Sequence, residues 1–312
     1  MPAITFKPLY MQRIWGGRSL ETIYQRDLPD THSPYGEAWE IVDREDAQSI
    51  VCDGQFAGKS LHDLWQNHRK EIFGIDFTEN SRFPILIKIL DSSDDLSIQV
   101  HPPAHLAKQF NGEPKTEMWF IANAKPGSKL YIGLKQGVTS ESFEQAIADG
   151  TVADVVHSIT PENGDCIFIE SGRLHAIGAG FLIHEIQQNS DTTYRVFDWN
   201  RKDSNGNPRD LHIAESLACI NFNDTEPEIE TPVGKTLVSC PYFTTTLHHL
   251  STGETIANPQ ADRFSMITVI SGSLNQIHIK GQTILLPQSA SPLTATEATS
   301  VLQITIPSQY SI

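Results

Sequence analysis

Residues 96–120, LSIQVHPPAHLAKQFNGEPKTEMWF, concentrate side chains that can do chemistry. The stretch opens as a strand over residues 97–101, and strand alternation puts Gln99 and His101 on one face. Pro102 and Pro103 stop that strand. Residues 104–110 are predicted to make about two helical turns started by the prolines, and Asn111-Gly112 turns the chain. A second strand begins at Lys115-Thr116-Glu117, with Lys115 and Glu117 sharing a face. Two returning strands thus offer Gln99, His101, Lys115 and Glu117 to one space. An imidazole, a carboxylate and an amide oxygen suit a borderline-to-hard divalent metal. Lys115 is then spare for chemistry. A histidine and a glutamate on facing strands also form ordinary hydrogen-bonded pairs, so the pair alone leaves both readings open. A distant segment weighs toward the metal. Residues 164–175, GDCIFIESGRLH, read as a strand over 166–169, a turn at Ser171-Gly172, and then His175.

The spacing of residues 164–175 resembles the second half of the cupin signature, with Glu170 where that pattern has proline. The first half normally carries His-x-His and a later Glu; here Gln99-Val100-His101 and Glu117 stand in those places. That substitution, with the run Gln99-Val100-His101-Pro102 and with Lys115-Thr116-Glu117, resembles the type I phosphomannose isomerases. Residues 14–17 (IWGG), 36–41 (GEAWEI), 83–91 (FPILIKILD), 175–178 (HAIG) and 187–198 (QQNSDTTYRVFD) are also similar to that family. The likeness runs in order from about residue 5 to 222.

The resemblance implies one Zn2+ per chain, held by Gln99, His101, Glu117 and His175. It implies interconversion of mannose 6-phosphate and fructose 6-phosphate through an enediolate, with a sugar phosphate as partner and no other cofactor. Arg195 matches the family's functional arginine, for charge stabilisation or phosphate contact. Asp191, four residues before Arg195, is expected to share acid–base work with Lys115. From the residues alone, Arg195 reads first as a structural ion pair with Asp191 or Asp198, and Lys115 fits a surface lysine as well as a catalytic one. Arg173 reads as a second phosphate contact or a solvated turn residue. Longer members carry a histidine just before the lysine. Pro114 stands there here, which excludes a proton shuttle at that spot. Longer members also carry a helical insert that 312 residues leave no room for, so the chain resembles the short bacterial form. Two other functions stay open: a cupin that binds a sugar or sugar phosphate without chemistry, and a metal-dependent cupin oxygenase. Gln99 counts against the second, whose sites need more histidine.

A formal net charge of −15 argues against nucleic acid and anionic membrane surfaces as partners. It does not exclude a phosphorylated substrate, because screening acts over about 8 Å and local cations decide. No run approaches the roughly 18 apolar residues of a membrane helix. The start, MPAITFK, lacks a signal-peptide pattern, so a cytoplasmic protein is expected. Cys52, Cys166, Cys219 and Cys240 are scattered and read as reduced thiols. A monomer or homodimer is expected.

Length favours about two domains. The pattern predicts a mainly β fold: two cupin-like jelly-roll or β-sandwich domains, with a few short helices packed on the larger. Residues 1–230 form the catalytic domain and 231–312 a small all-β domain without metal. Trp15-Gly16-Gly17 reads as a tight turn. One helix is predicted from the Ser60 cap to Gly74, and another over 152–159. Residues 84–90 read as a buried strand broken by Lys88, which needs an acidic partner or an anion. In the C-terminal part, residues 274–280 read as one strand.

Overall fold

A computed structural model of the chain describes residues 1–74, 82–202, 206–229 and 234–307. The expected domain boundary at 230/231 lies outside the described residues. Three sheets dominate.

The middle layer is a six-stranded antiparallel sheet. Its order is Cys166–Ile169, Glu117–Ala124, Phe181–Gln188, Ile85–Ser92, Leu9–Gly17 and Tyr35–Ile41, and the last strand also pairs directly with Ile85–Ser92. The two central strands, Ile85–Ser92 and Phe181–Gln188, are buried at every position. A strand covered on both sides is expected to be apolar nearly throughout; ILIKILDS and FLIHEIQQ instead carry buried polar residues, Lys88 and Glu185 among them. One face packs on a five-stranded sheet ordered Val156–Ile159, Leu130–Leu134, His175–Ile177, Ile98–Val100 and Tyr194–Phe197. Leu90, Trp119, Ile121 and Ile183 from the first sheet share a core with Leu130, Ile132 and Ile177 from the second. This two-sheet sandwich is the jelly-roll-like part that holds the site.

The other face of the middle sheet packs on a seven-stranded sheet built mainly from residues 236–305. Met118, Phe120 and Ile186 join Met266, Leu285, Leu302 and Ile304 in one core. That sheet also takes in Ile4–Lys7, which pairs with Thr283–Leu286 on one side and Ile50–Val51 on the other.

The structure corrects four local expectations. Trp15-Gly16-Gly17 is not a turn but the end of strand Leu9–Gly17. There a Cβ on Gly16 would lie 2.4 Å from the Gly36 nitrogen, so glycine is what lets the two strands touch. The helix after Ser60 is two, Leu61–Asn67 and Arg69–Ile72, because His68 at φ −124°, ψ 20° leaves the helical region. Residues 152–159 divide into helix Val152–Val155 and strand Val156–Ile159. β-Branched Val156 takes ψ 138° and joins the Leu130–Leu134 ladder. Ser273–Leu274 and His278–Ile279 form a hairpin, with Asn275 and Gln276 at φ 52° and 62° in its turn.

A candidate metal centre and its cavity

The five-stranded sheet places three of the expected residues in one row. Gln99 is the register partner of His175 on one side and of Arg195 on the other. Register partners point to the same face, and neighbouring strands are about 4.8 Å apart. The order His175, Gln99, Arg195 therefore runs across the sheet. His101 follows the same strand, and Glu117 comes from the facing sheet as the partner of Gln187.

His101, Glu117 and His175 have ligand atoms all within 4.8 Å of one another. All three are fully buried. His101 Nε2 is 3.5 Å from Glu117 Oε2, and His175 Nε2 is 3.8 Å from Glu117 Oε1. The outer ring nitrogens are spoken for: His101 Nδ1 donates to the Thr192 carbonyl at 2.9 Å, and His175 Nδ1 to the Arg173 carbonyl at 2.9 Å. A carbonyl only accepts, so each Nδ1 carries the proton and each Nε2 turns a lone pair inward. Burial lowers both histidine pKa values, that of His101 to about 3, so both rings are neutral. Burial alone would protonate Glu117, but the Lys115 ammonium 2.9 Å from its Oε2 outweighs this and keeps it a carboxylate. Gln99 Nε2 lies 3.3 Å from His175 Nε2. Turning the amide over places Oε1 there instead and points Nε2 toward Ser97 Oγ, which now bonds Gln99 at 3.3 Å.

The opposite wall carries a second row. Trp119 pairs with Glu185, Glu185 with Lys88, and Lys88 with Trp39 in register across four strands of the middle sheet. The Trp119 indole N–H is shared between Glu117 Oε1 at 3.0 Å and Glu185 Oε2 at 3.2 Å. Lys88 Nζ sits 3.6 Å from Glu185 Oε1 and 4.9 Å over the Trp39 ring. Lys88 thus has the acidic partner its buried position called for, and Asp191 approaches it at 3.8 Å. Burial, and then the charge of Glu117, push the Glu185 carboxyl up to about 7. Burial opposes the Lys115 charge, yet Glu117 and Glu185 together raise its pKa above the ordinary lysine value.

Between the rows is a cavity of about 380 Å3, lined by Gln99, Lys115, Glu117, Asp191 and Arg195 among others. The structure therefore brings five of the seven expected residues to the cavity wall, and the other two, His101 and His175, lie behind it against Glu117. Arg195 makes no ion pair with Asp191 or Asp198; its Nη1 donates to the Asp210 carbonyl at 2.9 Å. Arg173 is neither a phosphate contact nor a solvated turn residue. It forks onto Asp224 at 2.8 and 3.0 Å and bonds the Phe168 carbonyl at 2.7 Å, holding the turn before His175. Sequence reading passed over Glu185 and Trp119. The signal for Glu185 was present: a carboxylate inside the buried run FLIHEIQQ needs a reason, as Lys88 does.

The fold and site define a class: a two-sheet β sandwich with an imidazole–carboxylate cluster at the floor of a polar cavity. A family model for the type I phosphomannose isomerase catalytic domain matches residues 4–128. The chain is 36% identical over 298 residues to mannose-6-phosphate isomerase ManA of Bacillus subtilis, covering 90% of this chain and 92% of that protein. It is 34% identical to a mannose-6-phosphate isomerase of Streptococcus mutans, covering 91% and 93% of the two chains. A crystal structure of the Bacillus subtilis mannose 6-phosphate isomerase superposes with a TM-score of 0.87 at 30% identity, over 98% of this chain and 100% of that one. The chain belongs to the type I phosphomannose isomerase family.

Proposed function

We propose that the chain is a zinc-dependent isomerase of mannose 6-phosphate and fructose 6-phosphate. The observation that carries this reading is the buried donor set. His101 Nε2 and Glu117 Oε2 lie in the interior without an aligned hydrogen bond, beside a second inward-facing imidazole and an amide. Two neutral imidazoles, one carboxylate and an amide oxygen fit zinc. His101, His175, Glu117 and Gln99 would hold it, and zinc bound there would supply Lewis acidity toward substrate oxygens.

The chain's own groups account for the proton movements. Isomerisation removes the proton at C2 of the aldose and returns it at C1, while negative charge passes through the enediolate. Glu185 faces the cavity, sharing the Trp119 N–H with Glu117, and its carboxylate suits the carbon-bound proton. Lys115 stays an ammonium and offsets the developing negative charge. Asp191 sits at the cavity wall beside Lys88 and is assigned the hydroxyl protons, working with Lys115 as its charged partner. Arg195 binds or stabilises negative charge at the far end of the row. We place this chemistry within residues 1–230, with 231–312 as a small all-β unit without metal.

The test is turnover of mannose 6-phosphate before and after chelation. Activity should vanish on metal removal and return with zinc; full activity in the stripped enzyme rejects the metal role. Glu117→Gln and His175→Ala should lose both metal and turnover, whereas Arg195→Ala should keep the metal and lose rate. Saturable binding with no exchange of solvent deuterium into the sugar would instead identify a binding protein without chemistry.

A further inference from the structure

The end of the cavity away from His175 holds a second guanidinium that sequence reading did not assign. Arg209 lines the cavity beside Arg195. It is held from behind by Asp198: Nε donates to Oδ2 at 2.6 Å and Nη2 donates to Oδ1. Its Nη1 has no protein partner among the described residues. Asp198 also accepts from Arg201 Nη2 at 2.6 Å, so one carboxylate is divided between two guanidiniums. Among the described residues, Arg195 has no carboxylate within ion-pair distance and its buried Nε finds no hydrogen-bond partner. Burial, and then the Arg209 charge, lower the Arg195 pKa. Two like charges thus face one wall of a cavity in a chain whose net charge is −15. Side by side they repel, and a doubly charged anion between them relieves that repulsion.

The register adds direction. Arg195 is one strand from Gln99 and two from His175, so about 10 Å of sheet separates Arg195 from that imidazole. A six-carbon sugar bound with its reacting carbons at the imidazole end would carry its 6-substituent toward the arginines.

We propose that Arg209 is a specificity-determining residue, forming with Arg195 the subsite for the substrate's phosphate group, with Asp198 as the brace that aims its guanidinium. This rests on the isomerase reading above. Arg201 supplies the control. It shares Asp198 but turns its other arm to Asp94 at 3.4 Å and to the Asp95 carbonyl, and it does not line the cavity. If Arg209 only stabilised the loop through Asp198, removing Arg201 would do the same harm.

The experiment compares Arg209→Met, Arg209→Lys and Arg201→Met. It measures KM for mannose 6-phosphate, inhibition by inorganic phosphate, and kcat/KM for unphosphorylated mannose. A charge-assisted contact of this kind is worth about a 10- to 100-fold change. Arg209→Met should raise both the KM for mannose 6-phosphate and the phosphate inhibition constant by that factor. Its loss with mannose should be at least about tenfold smaller. Arg209→Lys should recover part of the loss, and Arg201→Met should leave phosphate inhibition within about threefold of the parent. Unchanged phosphate inhibition in Arg209→Met, or equal losses with both sugars, overturns the assignment. If the parent enzyme fails to turn over mannose 6-phosphate, the isomerase reading fails by itself. Calorimetric titration of parent and Arg209→Met with inorganic phosphate then still decides the anion subsite.

Discussion

Glu185 and Glu117 are two buried carboxylates a single indole apart, yet their surroundings drive them in opposite directions. Glu117 has Lys115 at 2.9 Å and stays charged. Glu185 is raised by burial and then by Glu117's negative charge, which outweigh the Lys115 charge and Lys88 at 3.6 Å. Separation of two pKa values by environment would let one site hold both the proposed metal ligand and the proposed proton carrier. Glu185→Gln should therefore lower kcat by about 10²- to 10⁴-fold while metal content, measured by elemental analysis, stays at the parental level. The parent's rate should rise with pH as Glu185 loses its proton, because the carboxylate is the active form. That acid limb should be missing from the residual activity of the variant. Loss of metal together with rate would move Glu185 into a supporting role for the ligands.

At the scale of elements, Trp119 matters because of its register. It sits beside Glu185 on the neighbouring strand and two residues from Glu117 on its own, so one N–H reaches both. Trp119→Phe keeps most of the buried ring and removes that donor. Groups that orient metal ligands typically change metal affinity or activity by about 10- to 100-fold. We expect a loss in that range in both zinc affinity and kcat, read by competition with a chelating dye and by steady-state rates. A variant that unfolds more easily but binds zinc normally would show that the indole serves packing alone. The strands that carry these residues were readable in outline. The run 166–169 and the buried strand around Lys88 follow from apolar patterning and turn residues. Their pairing partners did not follow, because register is set by distant chain segments meeting.

The whole molecule behaves as stacked sheets with shared cores. Phe6, Phe73, Phe83, Phe264 and Leu302 belong to one cluster although they span almost the entire chain. Phe73 and Phe264 stack edge to face at 5.0 Å. Strand Ile4–Lys7 is sewn into the C-terminal sheet. Scanning calorimetry should therefore record one cooperative transition; two separated transitions would mean that the parts fold independently. Stability should also depend on pH through His184, which is buried against the Tyr24 hydroxyl at 2.7 Å. Burial, and then the Arg26 charge, hold its pKa down to about 3, against an ordinary value of 6.5. Above about 6.5 neither state binds that proton. Below it the unfolded chain takes a proton that the folded chain refuses, so stability falls as pH drops toward about 3. The loss is at most about 1.4 kcal/mol per pH unit. His184→Gln should flatten this part of a urea-midpoint profile against pH, and an unchanged slope would discount His184.

Local chemistry in the sequence determined the donor types, the strands and turns that carry them, and the family likeness. Gln99-x-His101 shares a face because strands alternate, and Ser171-Gly172 must turn because of what those residues favour. Only the tertiary structure decided which strands lie side by side. It thereby put Arg195 in the row of Gln99 and His175, Glu185 between Trp119 and Lys88, and Arg209 beside Arg195. Burial and neighbouring charge, which set what each of these groups can do with a proton or an anion, exist only once segments distant along the chain have closed around one another.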